Sequence, residues 1–243
     1  MRVKASRYGV AVALALAALL ASGVAQAAIL ADVVWVIDTS GSMGFDIAEV
    51  KARILEFDTV MISNGIDARY AAVRFGGPAS LIQDVTDFAT FTAAGSPFSL
   101  LGATGGGTED GSAAIQVALG ATFRASTVRN IILVTDENDD VFSNRAALAA
   151  DLLATGPDEL INVIRNPGDD DLGYYAALAL ANGGLAFDIL AFRADPAAFF
   201  TNFTTTKVAE IIEEGGGGTV PGPATLILMG LGLSVLGLMR RRP

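Results

Sequence analysis

Val33-Val34-Trp35-Val36-Ile37-Asp38-Thr39-Ser40-Gly41-Ser42-Met43 is the stretch on which the reading of this chain turns. Five apolar residues in succession leave no polar face. Such a segment suits a strand buried on both sides, as in a parallel sheet covered by helices. The run stops on Asp38, and Ser40 and Ser42 follow at alternate positions. One carboxylate and two hydroxyls are thereby delivered to one point at a sheet edge. Hard divalent cations take oxygen ligands, and Mg2+ adds a demand for near-octahedral geometry with retained waters.

Outward from this stretch, strands and helices alternate. A mostly apolar strand over 29–37 precedes a helix over 47–61, whose apolar residues Ile47, Val50, Ile54, Phe57, Val60 and Met61 recur near the helical period. Asn64-Gly65 stops that helix. A strand over 68–75 meets Gly76-Gly77-Pro78, which turns the chain into a shorter antiparallel edge strand over 81–85. Residues 88–101 give a short helix and a loop, and 109–123 an alanine-rich helix. A buried strand over 130–135 ends on Asp136. Helices over 145–153 and 172–181 flank a strand over 160–164. A short strand over 184–187 leads to a last helix over 196–212, with Thr204-Thr205-Thr206 as its candidate break. The pattern predicts an α/β fold: a doubly wound, mostly parallel open sheet with one antiparallel edge strand and helices on both faces.

That topology brings three segments together, because ligands of open α/β sheets bind outside the carboxyl ends of the strands, at a switch point. The segments are Asp38-x-Ser40-x-Ser42, the glycine-rich loop Thr104-Gly105-Gly106-Gly107-Thr108-Glu109, and Val134-Thr135-Asp136. Each alone is weak. The serines could simply cap a helix, and a glycine run is often only a connection. Their joint order is the informative part. Gly41 is expected to permit the close backbone path between the serines.

The three segments resemble those of the von Willebrand factor type A domain, over roughly residues 30–213. In that family they form the metal-ion-dependent adhesion site. The resemblance implies that Ser40 and Ser42 bind the metal directly and that Thr108 adds a third hydroxyl, directly or through water. Asp38 and Asp136 would act mainly through water while hydrogen-bonding the serines. It further implies Mg2+ or Mn2+ ahead of Ca2+, and a protein partner whose carboxylate fills the open coordination position. Two carboxylates and three neutral hydroxyls leave a divalent ion electrophilic, which is binding chemistry with no bond broken.

Both ends of the chain look like targeting segments. Arg2, Lys4 and Arg7, an apolar stretch over 10–20 and Ala25-Gln26-Ala27 give residues 1–27 the form of a cleaved signal peptide. The domain is then 28–214. A linker follows over 215–223 and an anchoring helix with a basic end over 224–243. Pro221-Gly222-Pro223, the apolar run and Arg240-Arg241-Arg242 resemble a PEP-CTERM sorting signal, with Gly222 where that family has glutamate. The resemblance implies an exosortase-type processing enzyme, transient anchoring in the inner membrane and a polysaccharide-producing Gram-negative envelope as the setting. The arginines should stay cytoplasmic.

The two ends hold six of the 16 Lys and Arg and none of the 26 Asp and Glu. Between them, 10 basic residues face 26 acidic ones, a formal charge of −16 that repels nucleic acid and anionic lipid. Cysteine is absent, so no disulfide supports the exported domain. Histidine is absent too, which removes histidine-based nucleophilic catalysis and His-ligated zinc. Haloacid-dehalogenase-type phosphotransferases need an aspartate where Ser40 stands, and only Lys51 and Lys207 remain in the domain as lysine bases. No enzymatic activity is expected. The functional classes left are a metal-dependent adhesion or protein-interaction module and, as the alternative, a structural surface or matrix protein whose metal only stabilises the fold. The acidic loops 137–140 and 169–171 are expected to be solvated surface, Trp35 core, and Tyr174 and Tyr175 helix packing and surface.

Overall fold

A computed structural model describes residues 28–216 except Gly105 and residues 156–158. The segments expected to be signal peptide and membrane anchor lie outside the described residues, as does all of the linker beyond Gly216. Among the described residues no helix is long and apolar enough to cross a membrane.

The long apolar run becomes β1 (Ile29–Asp38), buried from Ala31 to its end. It lies at the centre of a six-stranded sheet with β2 (Ile66–Phe75), β3 (Ser80–Thr86), β4 (Val128–Val134), β5 (Glu159–Arg165) and β6 (Ala186–Asp188), in the order β3-β2-β1-β4-β5-β6. All pairings are parallel except β2 with β3, so the antiparallel strand sits on the edge as expected. The chain winds to one side of β1 and then to the other. The carboxyl ends of β1 and β4 therefore flank the switch point.

Successive residues of β1 serve opposite faces. Val33, Trp35 and Ile37 pack beneath α1 (Gly44–Ser63), α6 (Ile189–Ala194) and α7 (Pro196–Glu214), and the tetrapeptide helix α2 (Phe88–Phe91) adds Phe91 there. Trp35 meets Phe57 edge-on at 5.5 Å and stacks on Phe200 at 6.5 Å, arrangements that aromatic quadrupoles favour. The other face of the strand, Val34 and Val36, packs under α3 (Gly111–Leu119), α4 (Ser143–Thr155) and α5 (Tyr174–Ala181), with Ala114, Ala118 and Ala179 allowing close approach. Each large side chain buried in this way contributes about 1.5–3 kcal/mol against its exposed state.

The ends of the elements follow local chemistry. α1 stops at Asn64 because Gly65 takes φ +74°, a left-handed conformation that costs glycine little. Asp110, Asp188 and Asp195 each accept a backbone amide at the start of α3, α6 and α7. Three expectations need correction. α3 is shorter than the 109–123 predicted, because Glu109 and Asp110 belong to the preceding loop and Gly120 ends the helix. α7 runs unbroken through Thr204-Thr205-Thr206, since Thr205 and Thr206 return their hydroxyls to the carbonyls of Thr201 and Asn202. α6 was not foreseen.

Candidate metal centre

The site is built where β1 runs out. The Asp38 carboxylate is fully buried and is held from both sides. Ser40 N–H donates to its Oδ1 at 2.8 Å and the Thr135 hydroxyl to its Oδ2 at 2.9 Å. A 3-10 turn over Gly41–Met43 then folds the two serines together, with their Oγ atoms 3.1 Å apart. Ser42 Oγ donates to Asp136 Oδ1 at 2.9 Å. Four of the five residues expected at the site, Asp38, Ser40, Ser42 and Asp136, are thus connected by direct hydrogen bonds or by Thr135.

The fifth is different. The Thr108 carbonyl accepts the Gly77 N–H at 2.9 Å, but the residue is exposed and its hydroxyl makes no hydrogen bond to another described residue. The next residue, Glu109, turns inward instead and is 6% exposed. Its backbone is clamped to the β4–α4 loop. Glu109 N–H donates to Asp140 Oδ2 at 2.7 Å, and its carbonyl accepts Asp140 N–H at 2.8 Å.

Two glycines fit these loops together, and neither is the expected one. A Cβ on Gly41 would meet nothing within 4 Å, so this glycine is not required for closeness. Gly76, at φ +94°, lies so near the β1 turn that a Cβ would come within 2.8 Å of Ser40 N and 3.1 Å of Asp38 Oδ1. Gly107 in turn presses on Gly76, where a Cβ would lie 2.9 Å from its carbonyl oxygen. Gly76-Gly77-Pro78 thus does more than turn the chain, since Gly76 packs against the backbone of the serine turn.

Arg193 on α6 is the residue the sequence reading missed. Its Nη2 donates to Asp136 Oδ2 at 2.8 Å and to Asp46 Oδ2 at 2.6 Å, while Nε reaches Asp46 Oδ1 at 3.0 Å. The bidentate hold explains how Asp46, fully buried at the start of α1, is tolerated. Both carboxylates hold the Arg193 guanidinium above the usual arginine range, Asp46 foremost, so it remains charged. Burial nevertheless raises the Asp46 carboxyl above its ordinary value. Asp38 is raised as well, because burial outweighs the amide and hydroxyl donors around it. Glu109 is pushed up to about 8, first by burial and then by the negative charges of Asp38, Glu137 and Asp136.

The acidic loops are not simply solvated. Asp139 is fully buried and accepts from Ser112 N–H and hydroxyl, Tyr175 OH at 2.6 Å and Arg145 Nε at 2.9 Å. Tyr175 is accordingly core. Asp170 caps the N–H of Tyr175 at 2.8 Å and pairs with Arg165 at 2.7 Å. Asp139 and Asp140 of the first loop and Asp170 and Asp171 of the second are thus engaged within the fold. Lys51 is committed to the Leu101 carbonyl at 2.9 Å and Lys207 to Asn162 and Glu210, so neither engages Ser40 or Ser42.

No protein-family model and no curated protein matches the chain. Solved structures do. A von Willebrand factor type A protein from Catenulispora acidiphila superposes with TM-score 0.55 at 22% identity, covering 75% of this chain and 43% of that one. The fold is that of a von Willebrand factor type A domain. A conserved hypothetical protein, BatB, from Bacteroides thetaiotaomicron matches at TM-score 0.51 and 17% identity, over 76% of this chain and 99% of that one. The type A domain of SpRpn10 matches at TM-score 0.50 and 15% identity, over 66% and 88%. This chain spans less than half the length of the Catenulispora structure.

The donor set fits a type A metal site in its chemistry. Asp38, Ser40, Ser42 and Asp136 all present oxygen, which suits a hard divalent cation, while Arg193 holds the far oxygen of Asp136. Among the described residues no three carboxylates are placed to hold a cation by themselves, so the hydroxyls would be essential.

Proposed function

We propose that this protein is an exported, divalent-metal-dependent adhesion or protein-interaction module of a bacterial envelope or its extracellular polysaccharide matrix. The observation that carries the reading is the pair of serine hydroxyls, 3.1 Å apart at the sheet switch point beside Asp38 and Asp136. Adjacent ligands of an octahedral Mg2+ at its usual bond length are about 3 Å apart, so the pair is already set for one small cation. Ser40 and Ser42 would bind it directly. Asp38 and Asp136 would orient those hydroxyls and reach the metal through water, and Thr108 would complete the set by turning its exposed hydroxyl inward. Mg2+ or Mn2+ suits this set better than Ca2+, which takes more ligands. The bound metal would supply an electrophilic position for a partner's carboxylate.

Export rests on residues 1–27, and inner-membrane anchoring with exosortase-type processing on the Pro221–Arg242 pattern. A domain of this negative charge repels nucleic acid.

Calorimetric titration of residues 28–216 with Mg2+ and Mn2+ tests the metal site. One-to-one binding that is weakened in Ser40→Ala and Asp136→Ala supports it, and no binding by the folded wild type sinks it. Capture of envelope proteins with and without chelator then tests adhesion. Identical partners from wild type and Asp38→Ala under both conditions would leave the metal a purely stabilising role. The Arg193 pair on Asp136, which satisfies that aspartate within the fold, is the observation that favours this second reading.

A further inference from the structure

Glu109 has no role in the site as read from the type A motif, and its surroundings are unusual for a carboxylate. The residue is 6% exposed, and its Oε2 is buried without a hydrogen-bond partner. A buried polar atom left unpaired costs about 1–3 kcal/mol, and more when charged. Its neighbours add to the cost. The negative charges of Asp38, Glu137 and Asp136 all act on its carboxyl. Arg193, the cation on Asp136, is already spent on Asp46 and Asp136.

The arrangement is not slack in the loop. Asp140 holds the Glu109 backbone through both its N–H and its carbonyl, and Gly77 holds the carbonyl of the preceding residue. The backbone is therefore fixed while the side chain stays buried. A carboxylate placed so firmly among other carboxylates, with an oxygen left open, lacks one component: a cation.

We infer that Glu109 is a metal-directed carboxylate of the Ser40–Ser42 centre, bound to the cation directly or through one water. The inference rests on the metal reading above and deepens it. Its consequence is a third negative charge at the centre, added to those of Asp38 and Asp136, with the serine hydroxyls still required. One more negative charge strengthens the hold on the metal and reduces its appetite for an external anion. This chain would then bind its cation more tightly, and a partner's carboxylate more selectively, than two aspartates and neutral hydroxyls alone would permit. Glu137, whose charge acts on that of Glu109, would be relieved of a like charge when the metal enters.

The test is Mn2+ titration of the full chain and its Glu109→Gln variant, read by calorimetry and by the Mn2+ electron paramagnetic resonance signal. Melting of both proteins without metal accompanies it. Glutamine keeps the shape and removes the charge. The inference expects at least tenfold weaker Mn2+ binding in Glu109→Gln, an altered Mn2+ signal, and a metal-free melting temperature equal to or above that of wild type. Wild-type affinity retained within twofold in Glu109→Gln overturns the inference and leaves the serine site standing. Absence of Mn2+ binding in the wild type overturns both. Should Glu109→Gln fail to fold, Glu109→Asp, which keeps the charge on a shorter arm, decides: unchanged affinity and signal there also overturn the inference.

Discussion

β1 buries an aspartate near each end, and the two are treated in opposite ways. Asp32, at the amino end, is fully buried and completely answered: Arg124 donates its N–H and its Nε to the carboxylate, each at 2.7 Å. The same guanidinium closes on the carbonyls of Ala31 at 2.9 Å and Asp67 at 2.8 Å, tying β1 to β2. Asp38, at the carboxyl end, is equally buried but meets only an amide and a hydroxyl, and burial outweighs them and raises its pKa. A buried charge closed by arginine is a joint of the scaffold. One left to neutral donors keeps unspent negative potential, which is what the proposed cation would meet.

The comparison can be broken most forcefully at the amino end. Arg124→Ala strands Asp32 and should cost about 3–5 kcal/mol in chemical denaturation. The melting-temperature rise caused by Mg2+ should persist in that variant. Lys207 is an intermediate case, a fully buried ammonium on α7 with Glu210 as its carboxylate partner at 2.6 Å. Burial pushes its pKa down to about 8 from 10.5. Between those values the unfolded chain holds the proton and the folded chain does not. Stability from this residue should therefore rise as pH increases from about 8 to 10.5, on the order of 3 kcal/mol. Lys207→Met should flatten that rise in urea midpoints measured across the range.

At the carboxyl end the expected effects are smaller and of a different kind. Asp38→Asn should leave the metal-free melting temperature unchanged or higher, since it removes a charge that burial penalises. It should abolish the stabilisation by Mg2+, about 2.7 kcal/mol at a hundredfold excess over Kd. Smallest is the effect of withdrawing Arg193. In an Arg193→Gln, Asp46→Asn pair, which avoids stranding Asp46, Mn2+ should bind several-fold more tightly, by about 1 kcal/mol. Unchanged affinity there would mean that the guanidinium does not compete for Asp136.

The strands were legible because their apolar runs are long enough to exclude an exposed face, and Asp38 and Asp136 were legible because those runs end on them. What escaped was set by tertiary contact. α6 has six residues between two aspartate caps, too few to show a helical period. Nothing in the spacing joins Arg193 to Asp136. The Asp188…Asp195-Pro196 caps were the available signal for the helix, though not for its partner. Glu109 escaped because Thr108, the residue the type A resemblance selects, stands beside it. Gly41 was given the role of closeness because it separates the serines, whereas closeness is demanded where two loops touch, at Gly76 and Gly107.

The long reach of the site's own bonds has a consequence for the life of the chain. Ser42 is joined to Asp136 across 94 residues, and Asp46 to Arg193 across 147. Contacts so remote in sequence close late, after the intervening strands have docked. A chain emerging amino end first would carry Asp38-x-Ser-x-Ser from the start, yet the oxygen cluster would assemble only once the end of β4 had delivered Asp136. Unfinished or clipped molecules would expose the motif without the grip. Possession of the assembled cluster is therefore a certificate that the central strands have docked, readable from outside by anything that requires it.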